Sequence, residues 1–174
     1  MPVADQSTEY DDLLDALATA CQFGSGLNAS KIVEWYEDSR PLVEGAQCVG
    51  IWIKGWEPTL YPGAGREGYL TYLSIQITLW TRFMGGKASV DKWRFRNANV
   101  GHLVRMRGLL NYLVGENLFT SYNATTYAPT GDPLNWEPLQ HLPGPFVERV
   151  DIDDESWIRT PLKFQTLIAQ PLDV

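Results

Sequence analysis

Hydrophobic and polar positions divide the chain into segments of different period. Leu14, Leu17, Ala18 and Cys21 recur at i, i+3, i+4 and i+7, which predicts a helix from near Thr8 to Cys21 that must bury one face. Ser7 or Thr8 is placed to cap it, Glu9, Asp11 and Asp12 suit its positive end, and Gly24 and Gly26 stop it. A short helical turn is expected over Ser30 to Asp38, ended by Pro41. Val49, Ile51 and Ile53 then alternate with Gly50, Trp52 and Lys54, the period of a half-buried strand that closes at Gly55. The strongest alternation runs from Tyr69 to Phe83, with Leu73, Ile75, Ile77, Leu79 and Phe83 on one face and Ser74, Gln76, Thr78 and Arg82 on the other. Residues 55–68 between these strands are too long for a tight turn and rich in Pro and Gly, so they are expected to form a projecting hairpin arm.

After a Gly-rich break from Met84 to Ser89, an amphipathic helix is predicted from Asn99 to Val114, with Val100, Leu103, Leu110, Leu113 and Val114 inward and Gly115 at its end. Gly101 and Gly108 each weaken it by up to about 1 kcal/mol relative to Ala, so packing must carry the helix or the glycines permit close backbone approach. An irregular connection follows from Phe119 to Pro145, counted as an insertion over about 120–145. Strands are then expected over Phe146 to Ile152 and Arg159 to Gln170, the second with Leu162, Phe164 and Ile168 on one face. The order predicts an α+β fold: a single antiparallel-rich mixed sheet, two main helices packed on one side, and the hairpin arm. At 174 residues the chain is expected to be a single domain, 1–174.

Composition adds three constraints. A net charge of −7 argues against coating nucleic acid or an anionic membrane with the whole surface. No apolar run is long enough to span a bilayer, and the acidic start lacks the regions of a signal peptide, so no membrane partner is expected. Cys21 and Cys48 could pair only once, and with His102 and His141 as the only histidines there is no zinc-type cluster; a reducing compartment is the natural expectation. Seven Trp, eight Tyr and six Phe supply core volume and lean towards assembly, because aromatics anchor interfaces.

Catalytic motifs are weak. Gly63 to Gly68 spell G-x-G-x-x-G, but pyrophosphate binding needs a helix after the glycines and here a strand is expected. No G-x-S-x-G elbow surrounds a serine, and both histidines are expected at the surface or as caps. The run Asp151 to Glu155 reads as a solvated turn, without the Gly and bidentate Glu of a calcium loop. No catalytic residue, cofactor or metal is therefore expected.

The informative feature is charge segregation. Arg82, Lys87, Lys92, Arg94, Arg96, Arg105 and Arg107 face Asp91 alone, a net of +6 over residues 82–107 that leaves −13 for the rest. These could be exposed positions compensating an acidic neighbourhood, a path for nucleic acid with Trp93 and Phe95 as stacking groups, or a surface that docks on the acidic remainder of another copy. Ring assembly is preferred, because total charge is negative and assembly also accounts for the aromatics and the arm.

The N-terminal helix, the Val49 to Ile53 strand, the Leu73 to Phe83 strand, the Asp91 to Val114 segment with Leu109-Leu110, and the terminal strand Leu162 to Ala169 together resemble the tail terminator (tail completion, neck) proteins of long-tailed bacteriophages. The resemblance implies a non-enzymatic ring, typically hexameric, at the head-proximal end of the tail, made in the host cytoplasm and resident in the virion. The implied partners are further copies of itself, the tail tube protein and the head-tail connector or stopper. A tail sheath is a further candidate, and DNA would pass through the lumen without sequence recognition. Lys92, Arg94, Arg96, Arg105 and Arg107 are expected at the subunit interface or lumen, and Trp56, Tyr61, Gly63 and Gly65 in arm contacts to a neighbour or the tube. The insertion and the arm leave another neck or baseplate component as an alternative. From other classes, a small enzyme using the Asp151 run or a nucleic-acid binder using Trp93 are the rivals.

Overall fold

A computed structural model describes residues 6–63, 66–83, 88–114, 139–144 and 147–171, with the hairpin beyond residue 55 described by its backbone ladder. Its elements in chain order are α1 (Gln6–Ser25), a 3-10 turn (Ala29–Lys31), β1 (Ile32–Glu34), β2 (Gln47–Gly63), β3 (Arg66–Phe83), α2 (Ala88–Arg96), α3 (His102–Val114), β4 (Gln140–Leu142), β5 (Glu148–Ile152) and β6 (Glu155–Pro171). The strands form one mixed sheet in the order β1-β2-β3-β6-β4, with β5 also on β6. Only β1 on β2 is parallel among these pairs, so the expected antiparallel-rich α+β sheet is what forms.

One face of the sheet carries the helices. Val49, Ile51, Leu73, Ile75, Ile77, Leu79, Leu162 and Phe164 lie on it and share a buried cluster with Leu13, Leu17, Ala20 and Cys21 of α1 and Leu109 and Leu113 of α3. The inward stripe of α1 is rotated from expectation: Leu13, Ala16, Leu17, Ala20 and Cys21 are buried, whereas Leu14 and Ala18 are half-buried at its margin. The helix also starts before Ser7, so neither Ser7 nor Thr8 caps it. It ends as expected, on Gly26 at φ +64°, whose N–H returns to the Gln22 carbonyl at 2.8 Å.

α1 and α3 meet backbone to backbone. A Cβ on Gly108 would lie 2.0 Å from the Gly24 carbonyl oxygen, and one on Gly24 would lie 2.9 Å from the Gly108 oxygen. Close approach is therefore the reason Gly108 is tolerated in α3 despite its cost in helix propensity.

The opposite sheet face buries Cys48, Trp80 and Trp157 with Val43, Val150 and Ile152. The segment 35–46 straps this face: Arg40 lies 4.5 Å over the Trp157 ring, and Arg159 donates to the Asp38 carbonyl at 2.7 Å. Both cysteines are buried and free, and burial pushes their thiols up, Cys48 to about 11.

Several expectations change. The helical turn expected over 30–38 ends at Lys31 as a 3-10 turn: β-branched Ile32 and Val33 pair parallel to β2, Ile32 opposite Val49. β2 does not close at Gly55. A bulge at Lys54 absorbs the irregularity, and the ladder resumes from Gly55 opposite Ser74 to Gly63 opposite Arg66. The expected hairpin arm is thus a paired ribbon over its described length. At roughly 3.3 Å per residue, β2 and β3 each run about 55 Å or more. β3 also holds β6 as far as Gly68 opposite Pro171, so the ribbon is three-stranded over most of its length. Segment 88–96 is a helix that begins inside the expected break of 84–89 and for which no helix was predicted. Val114, expected inward, is exposed. The insertion over about 120–145 falls largely outside the described residues, apart from β4 and its flanks; there half-buried His141 sits 5.5 Å from the Phe164 ring.

The Asp151 to Glu155 run is a turn, as expected, and a two-residue one. Ile152 pairs with Glu155, and both intervening residues are left-handed, Asp153 at φ 49° and Asp154 at φ 63°. Such turns favour Asn-Gly, because a side chain at positive φ costs about 1 kcal/mol. Replacing Asp153-Asp154 by Asn-Gly is expected to raise stability by about 1 kcal/mol in urea titration. Gly108→Ala, which on an ordinary helix would stabilise, is expected here to lower stability by about 2–4 kcal/mol, because the helices must part.

Candidate subunit interface

The segment between β3 and α3 is organised by short-range polar bonds. Asp91 in the first turn of α2 and Arg94 and Arg96 in its last turn complement the helix dipole. Asn97 then turns the chain: its Oδ1 accepts the N–H groups of Asn99 at 2.9 Å and Val100 at 3.1 Å. A Cβ on Gly101 would lie 2.5 Å from the Asn97 nitrogen, so only glycine fits this corner.

The inner side of α2 is fixed by Phe95, whose ring meets Phe83 edge-on at 6.4 Å and stacks on His102 at 6.0 Å. His102 was expected at the surface or as a cap, yet it has no exposed area. Gln47 Nε2 donates to Thr81 Oγ1 at 3.2 Å, Thr81 Oγ1 lies 2.8 Å from His102 Nδ1, and His102 Nε2 lies 2.8 Å from Thr160 Oγ1. With the imidazole proton on Nε2, Nδ1 accepts from the Thr81 hydroxyl and Nε2–H donates to Thr160 Oγ1. The imidazole thus ties the start of α3 to β3 and β6. Desolvation depresses its pKa from 6.5 to about 4.

The five cations expected at an interface separate into two groups. Arg94 donates to the Arg82 carbonyl at 2.9 Å. Arg105 donates to the Val100 carbonyl at 3.2 Å and to the Ser25 carbonyl, where it meets the negative end of α1; burial lowers its pKa. These two hold the frame. Lys92, Arg96 and Arg107 are exposed. Beside the first two stands Trp93, exposed to 55% of its area. Lys92, Trp93 and Arg96 follow the i, i+1, i+4 spacing that gathers them on the outer side of α2. Of the remaining basic residues, Arg82 pairs with Glu155; Lys87 lies outside the described residues.

The expected arm residues occupy defined register positions. Trp56 pairs opposite Leu73, Tyr61 opposite Gly68 and Gly63 opposite Arg66, while Gly65 lies outside the described residues. The letters of G-x-G-x-x-G thus straddle two strands, with no helix after them. Among the described residues no three His, Cys, Asp or Glu side chains are grouped to hold a metal ion. No helix among them is long and apolar enough to cross a membrane.

No protein-family model matches this chain, and no curated protein matches it. Among solved structures it is similar to a chain of the "Virion of native gene transfer agent (GTA) particle", at 11% identity over 89% of this chain and 94% of that one, with a TM-score of 0.44. A likeness of that size carries no argument about role, which must come from the chain's own surfaces.

The buried imidazole makes stability depend on acid. Its folded pKa lies below its unfolded value, so its contribution is complete above pH 6.5 and is lost as pH falls towards about 4. Urea titrations at pH 7 and pH 4 are expected to differ by about 3 kcal/mol from this group, and His102→Gln is expected to flatten that dependence.

Proposed function

We propose that the chain is a structural virion protein of the tail-terminator kind. Copies close into a ring at the head-proximal end of a phage tail, six of them by the resemblance, stop tail-tube polymerisation and present a surface to the head connector or stopper. The role is geometric and non-enzymatic: a heterologous interface closes the ring, and the closed ring offers one face to the tube and the other to the head.

The observation that carries this reading is the three-stranded arm. Beyond Leu73, which lies in the helix-side core, the β2–β3 ladder continues for seven register pairs, Glu57–Tyr72 to Gly63–Arg66. Those pairs span roughly 20 Å, enough to reach a neighbouring subunit.

Negative-stain microscopy of the purified protein mixed with tail tubes is expected to show a ring capping one tube end and halted elongation. A protein that stays monomeric and leaves tubes uncapped and growing would sink the assignment.

A further inference from the structure

The exposed side of α2 is cationic: Lys92 and Arg96 flank Trp93 there, and Asp91 is the acidic residue of the same helix. α1 and α3 cross in opposite directions: Ser25 meets Arg105, Gly24 meets Gly108, and Phe23 stacks on Tyr112 at 6.2 Å. α1 therefore leads back from the α3 start, and Asp11 lies about 20 Å along the helix from Gly24. α2 stays at the α3 start, held by Phe95 on His102 and by Arg94 on the Arg82 carbonyl. The N-terminal half of α1 and the outer side of α2 thus occupy opposite ends of the helical layer.

Their charges are opposite as well. α1 contains Glu9, Asp11, Asp12 and Asp15 and no Lys or Arg. Asp11 and Asp15 are exposed and stand at i, i+4, a like-charge spacing that an isolated helix disfavours. At the other end of the molecule Glu155 pairs with Arg82, and Asp151 accepts from Ser156 Oγ at 2.5 Å and pairs with Arg149 at 3.5 Å; Asp15 too makes an interaction within its own chain. Asp153 and Asp154 sit in that same turn, on α2's own end, so a head-to-tail contact does not bring them to α2.

We infer that the outer side of α2, Lys92, Trp93 and Arg96, seats the acidic N-terminal half of α1 from the next copy. The inference rests on the ring reading and names the contact that closes it. Trp93 supplies the desolvated anchor and the two cations fix the register against Asp11 and Asp15; because the two patches lie at opposite ends of the helical layer, each copy meets two different neighbours, head to tail.

The test is a charge exchange. Lys92→Glu with Arg96→Glu, and separately Asp11→Lys with Asp15→Lys, are each expected to weaken self-association about tenfold or more by sedimentation, with or without tail tubes. Combining all four substitutions is expected to restore it. Because reversal near a helix start could weaken α1 itself, a second variant carries Trp93→Cys and Asp11→Cys. With a short bis-maleimide it is expected to give a ladder of covalent oligomers, the native cysteines being buried. Wild-type rings that survive both reversals, with no ladder, would overturn the contact and leave the ring standing. Reversal at α2 that lowers only affinity for duplex DNA would make it a lumen surface instead, also overturning the contact. A wild-type protein that never associates, even on tubes, would overturn the ring and the contact together.

Discussion

The structure depends on the register of β3. This strand is paired along its length on both edges, with β2 on one side and β6 on the other. Its apolar residues alternate, so a slip of one position would carry Leu73, Ile75, Ile77 and Leu79 out of the helix-side core and put Gln76, Thr78 and Trp80 in their place. The same register puts Thr81 and Thr160 where one imidazole bridges them. Through His102 the sheet fixes where α3 starts. Through the Gly24–Gly108 crossing, α3 in turn fixes α1.

What the sequence made legible follows from how local each signal is. β3 could be read because its alternation is a property of neighbouring residues, and the glycines of α3 could be read because their cost in a helix demanded a compensating contact. The end of β2 was misread for an equally physical reason. Gly and Pro mark loops when nothing pairs them, but β2 here has a partner for every residue from Gly55 to Gly63. α2 was missed because nine residues of charged composition give no usable period; its position is set by Phe95 and Arg94 reaching partners on β3 and α3. His102 carries no local signal, since its hydroxyl partners are 21 and 58 residues away in sequence.

The candidate interface shows the same limit in its charges. A sequence reports formal charge but not the group each charge faces. Arg94 and Arg105 look identical to Arg96 and Arg107 until their guanidinium groups are found on backbone carbonyls, where they seal helix and strand ends. The aromatic excess divides likewise: Trp80 and Trp157 are core, whereas Trp93 stands exposed between two cations. The charge asymmetry legible in the sequence therefore remains at the surface as a smaller patch, Lys92, Trp93, Arg96 and Arg107, than the seven basic residues implied.

A long ribbon of open sheet invites polymerisation through its edges, and the placement of proline bears on which surfaces can join copies. Arg82 N–H points to the Ala46 carbonyl, so even-numbered residues of β3 face β2 and odd-numbered ones face β6. Carried past the bulge, this parity turns the backbone groups of Trp56, Pro58, Leu60 and Pro62 away from β3, towards an edge that no described strand pairs. Two of those four positions have no N–H to offer. On β6 the outward positions are odd-numbered; Pro161 falls in the gap between the stretches covered by β5 and β4, and Pro171 ends the strand. β1 and the bulge protect the inner part of β2. Backbone pairing with another chain is thus discouraged along the β2 edge of the arm, where a contact would have to be made by side chains with defined shape and charge. Contacts of that kind can close at a fixed number of subunits, whereas edge-to-edge ladders add copies without limit.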